Sequence, residues 1–99
     1  MKSDAWEGGH RLPFIVRWPG VVKPDTLTRR VGHIIDLLPT CLEIGGAKYP
    51  REFQGNEILP AEGRSLVPIF RGKNLRAPEM LFWEQQGNRA VRQGQWKLV

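Results

Sequence analysis

Apolar and polar positions along this 99-residue chain change period several times, and each change marks a new element. The first, Phe14-Ile15-Val16-Arg17-Trp18, is a run of bulky and β-branched residues closed by Pro19-Gly20, which predicts a strand buried on both faces. Arg30 to Ile35 predicts a second short strand, at an edge because Gly32 and His33 weaken it. From Asp36 the period changes. Leu37, Leu38, Cys41, Leu42 and Ile44 form one apolar stripe of a helix, with Asp36 as its N-cap, Pro39 in the first turn and Gly45 at the left-handed C-terminal position. Residues 45–63 carry Gly-Gly, Tyr-Pro, Gly-Asn and Leu-Pro punctuation and read as loop. Ser65 to Phe70 repeats the cap, apolar pair and first-turn proline of the earlier helix and predicts a short second one, stopped by Gly72. Met80–Glu84, Arg89–Arg92 and Trp96–Val99 then predict antiparallel strands, joined by turns at Gln86-Gly87-Asn88 and Gln93-Gly94. The chain stops at Val99 inside an apparent strand, an ending that reads as truncation.

Ahead of the first strand lies the stretch with the densest candidate chemistry. Lys2-Ser3-Asp4-Ala5-Trp6-Glu7-Gly8-Gly9-His10-Arg11-Leu12-Pro13 holds two reactive side chains, Lys2 and His10, around adjacent glycines. The glycines permit a sharp bend with positive φ, Glu7 and Arg11 are spaced to lock it as an ion pair, and Pro13 fixes the exit into the strand. A bent, charged loop at a strand end can present side chains to a ligand. It can equally be a structural turn. His10 accordingly has two readings, lining a substrate cleft beside Lys2 or holding the double-glycine turn.

Composition narrows the classes. At 40% hydrophobic and 25% charged the chain is globular rather than disordered, and its length allows at most one small domain. No apolar run approaches the ~18 residues of a membrane span. Met1-Lys2-Ser3-Asp4 lacks the apolar core of a signal peptide, and the single cysteine excludes an internal disulfide. The net charge of +5 falls in residues 64–99, where seven Lys/Arg face Glu79 and Glu84, while residues 1–63 balance eight against eight. That basic third is either a solvated face or an attraction to anionic polymers. No nucleic-acid-binding motif accompanies it, so nucleic acid is not expected as a partner.

The order Lys2, Trp6-Glu7-Gly8-Gly9-His10-Arg11-x-Pro13, then a strand ending Arg17-Trp18-Pro19-Gly20, resembles the sulfatase (arylsulfatase) family. Lys2 stands five residues before Glu7, as the family's lysine does before its Glu-Gly-Gly. His33-Ile34-Ile35-Asp36-Leu37-Leu38-Pro39-Thr40 and Gly63-Arg64-Ser65-Leu66-Val67-Pro68-Ile69-Phe70-Arg71-Gly72 are similar to it as well. The resemblance covers nearly the whole chain and corresponds only to the C-terminal part of a sulfatase.

It implies an α/β fold class: a C-terminal fragment of an alkaline-phosphatase-like sulfatase fold, with a small antiparallel sheet and short helices. Residues 1–46 would end the main α/β region, 47–63 would be loop, and 64–99 the small antiparallel sheet region. The implied activity is hydrolysis of sulfate esters of carbohydrates or aryl alcohols, with calcium and formylglycine as the family's cofactors. A periplasmic, secreted or lysosomal setting follows from the same resemblance. Of the family's active-site residues only the sulfate-contacting lysine carries over, as Lys2, expected to be catalytic and substrate-binding. His10 is the second expected substrate-binding residue. Cys41-Leu42-Glu43-Ile44-Gly45 lacks the proline and arginine of Cys-x-Pro-x-Arg, so Cys41 is not the nucleophile, and none of the calcium ligands is present. The 99-residue chain is therefore expected to be inactive alone. Gln85 and Gln86 follow Phe82-Trp83-Glu84, where relatives often show a histidine, which puts the expected specificity in doubt. Two alternatives stand: a non-catalytic module binding anionic polymers, and a phosphate-ester hydrolase of the same superfamily.

Overall fold

A computed structural model describes residues 5–99. They divide into two compact units, one combining the residues up to Arg17 with Arg76–Val99, the other spanning Trp18–Leu75.

In the first unit, helix α1 (Glu7–His10) accompanies an antiparallel sheet of β3 (Leu81–Gln85), β4 (Asn88–Gln93) and β5 (Trp96–Leu98), in the order β3-β4-β5. The three strands are those the alternation predicts. Gln86 (φ 52°) and Gly87 (φ 83°) both take left-handed backbone, which is the hairpin geometry that matches strand twist. Register places Leu81, Arg92 and Lys97 side by side, and Phe82, Val91 and Leu98 beside one another on the opposite face. Ala5 and Ala90 are buried, whereas Phe82, Trp96 and Leu98 on the second face are exposed.

The second unit holds a 3₁₀ turn (Ile34–Asp36), helix α2 (Leu37–Gly45), a short hairpin of β1 (Glu52–Phe53) and β2 (Asn56–Glu57), and helix α3 (Val67–Phe70). Asp36 organises it. The Oδ2 of its carboxylate accepts from the His33 N–H and its Oδ1 from the Arg64 N–H, both at 2.9 Å. The His33 Nδ1 accepts in return from Ile35, completing a reciprocal capping box. Thr40 Oγ1 donates to the Asp36 carbonyl at 2.6 Å and accepts from the Leu66 N–H at 2.9 Å. Asp36 and Thr40 are both buried, so these bonds satisfy polar groups that water cannot reach. Leu66 and Val67 form the apolar side of this junction between α2 and α3.

Several expectations change. Asp36 stands at the N-cap of α2 as expected, but its carboxylate caps none of that helix's amides: it accepts instead from the His33 N–H and the distant Arg64 N–H. The left-handed residue ending α2 is Gly46 (φ 64°), with Gly45 still helical; Gly46 N–H reaches the Glu43 carbonyl and Ala47 N–H the Leu42 carbonyl. The apolar stripe of α2 is not buried, since Leu38, Cys41 and Ile44 are exposed and the interior contact of the helix runs through Thr40. Residues 14–18 form no strand and pair with none, with Phe14 and Ile15 exposed. Residues 30–33 form no strand either, because the capping box at His33 takes that backbone into the 3₁₀ turn. The loop at 45–63 contains the β1–β2 hairpin, turned by Gln54 and Gly55 at positive φ. The short second helix stands as expected, as α3, with Ser65 Oγ accepting from the Val67 N–H and proline in its first turn.

Candidate functional site

The candidate site gathers around α1. Gly8 and Gly9 do not make the sharp bend their pairing allows; both lie within the helix, which turns through Gly9 N–H to the Trp6 carbonyl and Arg11 N–H to the Glu7 carbonyl. A Cβ added at Gly8 would meet nothing within 4 Å, so no close approach there calls for glycine. The ion pair is likewise different from the expected one. Glu7 pairs not with Arg11 but with Lys97 of β5, its Oε1 accepting from Nζ at 3.1 Å. The lysine comes from the opposite end of the chain and is largely enclosed, with its side chain 11% exposed, whereas Arg11 is exposed. A lysine that has lost most of its water needs an acceptor more than a solvated arginine does.

The pairing with Lys97 holds the Glu7 carboxyl below its ordinary pKa, reinforced by the nearby positive charge of Arg92 and Arg11 and opposed by partial burial. His10, at the other end of α1, stacks on Trp83 of β3 with ring centroids 4.6 Å apart and planes 15° from parallel. Its Nδ1 lies 3.3 Å from the same Lys97 Nζ, which in turn stands 5.3 Å from the Trp83 ring centroid. Glu7, His10, Trp83 and Lys97 thus form one connected cluster, two residues from the helix and two from the sheet. A recess of about 420 Å³ lies in the same unit, bounded by Ala5, Trp6, Gly87, Asn88, Arg89 and Val99.

Of the residues expected from sequence, His10 falls in the cluster and Lys2 lies outside the described residues. Lys97 and Trp83 were not anticipated. The signal for Lys97 was misleading: Trp96-Lys97-Leu98 alternates as an apolar face with a solvated lysine, while the structure exposes Trp96 and Leu98 and encloses the lysine. Among the described residues no three His, Cys, Asp or Glu side chains converge.

A family model for the C-terminal region of N-sulphoglucosamine sulphohydrolase matches residues 2–99. The chain belongs to the sulfatase family, as a C-terminal portion. It is 34% identical over 101 residues to an uncharacterized sulfatase of Schizosaccharomyces pombe, a match covering 99% of this chain and 18% of the relative. A sulfatase of Formosa agariphila is 34% identical over 94 residues, 92% of this chain and 16% of its own. The steryl-sulfatase of Mus musculus is 35% identical over 82 residues, 82% of this chain and 12% of its own. The chain therefore spans under a fifth of the length of these relatives. Small antiparallel sheets and short helices accord with a portion of an α/β protein. None of the described helices is long and apolar enough to cross a membrane.

Proposed function

We propose that this sulfatase segment serves hydrolysis of the sulfate esters of carbohydrates or aryl alcohols, and that its part is to supply positive charge to the sulfate group. The observation that carries this reading is the match over residues 2–99, which includes Lys2 and the Trp6–Pro13 motif, joined to the tethering of that motif by Lys97. An ammonium at Lys2 would stabilise charge on the sulfate oxygens as the ester bond breaks. His10, held against Trp83, would line the same cleft.

On this reading the nucleophile, formylglycine, and the calcium ion come from residues other than those of this chain. Cys41 does not fit the nucleophile motif, and the described residues show no cluster of three His, Cys, Asp or Glu side chains. The apolar run Phe14-Ile15-Val16, with Phe14 and Ile15 exposed, supports the alkaline-phosphatase-like fold. Residues of high strand propensity that pair with no strand among the described residues are suited to join the sheet of a larger α/β region.

The test joins the chain to a sulfatase region carrying Cys-x-Pro-x-Arg and the calcium ligands, and compares aryl sulfate with aryl phosphate. Sulfate ester turnover is expected, with Lys2→Ala lowering kcat roughly 10²–10³-fold, the loss typical of removing one charge-stabilising donor. Turnover unaffected by Lys2→Ala, or preference for the phosphate ester, would overturn the reading. The 99-residue chain alone should show no turnover.

A further inference from the structure

Lysine is a donor-only side chain with three N–H groups, and Lys97 has a recipient for each. Glu7 Oε1 takes one at 3.1 Å, His10 Nδ1 stands at 3.3 Å, and the face of Trp83 lies 5.3 Å from Nζ to its centroid, within range of a cation–π contact. An ammonium cannot accept a hydrogen bond, so the imidazole nitrogen facing it must do so. A neutral imidazole whose Nδ1 accepts carries its proton on Nε2. Stacking on Trp83 at 15° then sets the plane of the ring. Each of these groups also fixes another: Glu7 and His10 flank the two glycines of α1, so one ammonium grips both ends of the helix.

We infer that Lys97 is a positioning residue: it ties β5 to both ends of α1 and fixes His10 as its Nε2–H tautomer. The functional consequence rests on the reading of Lys2 and His10 as facing sulfate. An Nε2–H is a donor, the role an anionic sulfate oxygen requires, whereas an Nε2 lone pair would repel it. Nothing in the family match singles out Lys97 for this role; the three-way geometry does.

The tautomer is read directly from two-bond ¹⁵N–¹H correlations of ¹⁵N-histidine-labelled chain at a pH where the ring is neutral. Native protein is expected to show His10 protonated on Nε2, with Nδ1 shifted as an acceptor. Lys97→Met keeps the length of the side chain and removes its donors. It should erase the acceptor shift at Nδ1 and raise the minor tautomer about five- to thirtyfold, the factor that one or two kcal/mol produces. Lys97→Arg, which can still donate to both Glu7 and His10, should restore the native pattern where a merely space-filling role would not. A protonated Nδ1 in the native chain, or a Lys97→Met spectrum identical to native, would overturn the inference, and the native measurement decides even if a variant fails to fold. None of these readouts requires turnover. A negative result here leaves the sulfatase reading standing, and absent hydrolysis with an intact tautomer does the reverse.

Discussion

Replacing Asp36 by asparagine removes one acceptor from the centre of the Trp18–Leu75 unit while changing almost nothing in shape. The carboxylate is 3% exposed and accepts two backbone N–H groups, one from His33 and one from Arg64, each at 2.9 Å. An asparagine side chain presents one oxygen and one NH₂, so it can serve one of the two amides and must point a donor at the other. Hydrogen bonds to charged groups contribute about 1.5–3 kcal/mol, and a buried donor left unsatisfied costs about 1–3 kcal/mol. Relief of the buried carboxylate's desolvation offsets part of that loss. The net expectation is a destabilisation of about 2–4 kcal/mol for Asp36→Asn, with Asp36→Ala at least as large. Urea denaturation gives the magnitude. Amide hydrogen exchange gives the location, because the Arg64 N–H or the His33 N–H, whichever faces the new NH₂, should lose protection. A change below ~1 kcal/mol, with both amides exchanging as in native protein, would refute the assignment of Asp36 as the unit's organising acceptor.

Two further outcomes follow from single contacts. Gly63 sits at φ +85° with Ile35 and Asp36 backbone against its α-carbon, and an added Cβ would lie 2.9 Å from the Asp36 nitrogen and closer still to the Ile35 carbonyl. Gly63→Ala therefore combines left-handed strain of about 1–2 kcal/mol with a backbone clash, and a loss above ~2 kcal/mol is expected in thermal or urea melts. Glu7 has a folded pKa held below its ordinary 4.5 by Lys97, so its contribution is present above that ordinary value and fades as pH falls through the folded one. With the carboxylate 55% exposed, that contribution should stay below ~1 kcal/mol; Glu7→Gln should flatten the acid side of the stability profile by this amount, checked by melts across pH 3–6.

Legibility in the sequence followed the range of the interactions. The three-stranded sheet was readable because its strands are joined by two-residue turns and alternate locally, so neighbours alone specify Gln86-Gly87 and the register. The helix at Leu37–Gly45 was readable for the same reason, start included, but the partners of its N-cap carboxylate were not. The acceptor role of Asp36 depends on Arg64, 28 residues away, and on a histidine acting as cap, and neither is encoded by spacing. Burial was misjudged wherever it was inferred from hydrophobicity alone. Phe14, Ile15, Leu38 and Ile44 are exposed within this chain, while Asp36, Thr40 and Lys97 are enclosed. Apolar character reports that a side chain gains from leaving water, and says nothing about which segment takes it out.

The cluster at α1 shows the same limit from the functional side, and it explains why a lysine near the end of the chain belongs to a site near its beginning. Lys97 and Glu7 are separated by 90 residues, and Lys97 and His10 by 87. Closing so long a loop carries an entropy penalty that a lone solvent-exposed ion pair, at about 0–1 kcal/mol, could not offset. The sheet resolves this. Once β3, β4 and β5 pair in register, Lys97 and Trp83 already share one face, so docking α1 closes the loop once for several contacts together: Glu7 with Lys97, His10 with Lys97 and His10 with Trp83. The loop penalty is thus set against the whole set of contacts rather than against one ion pair. The position of α1 is therefore set by strands distant in sequence, through Lys97 of β5 and Trp83 of β3.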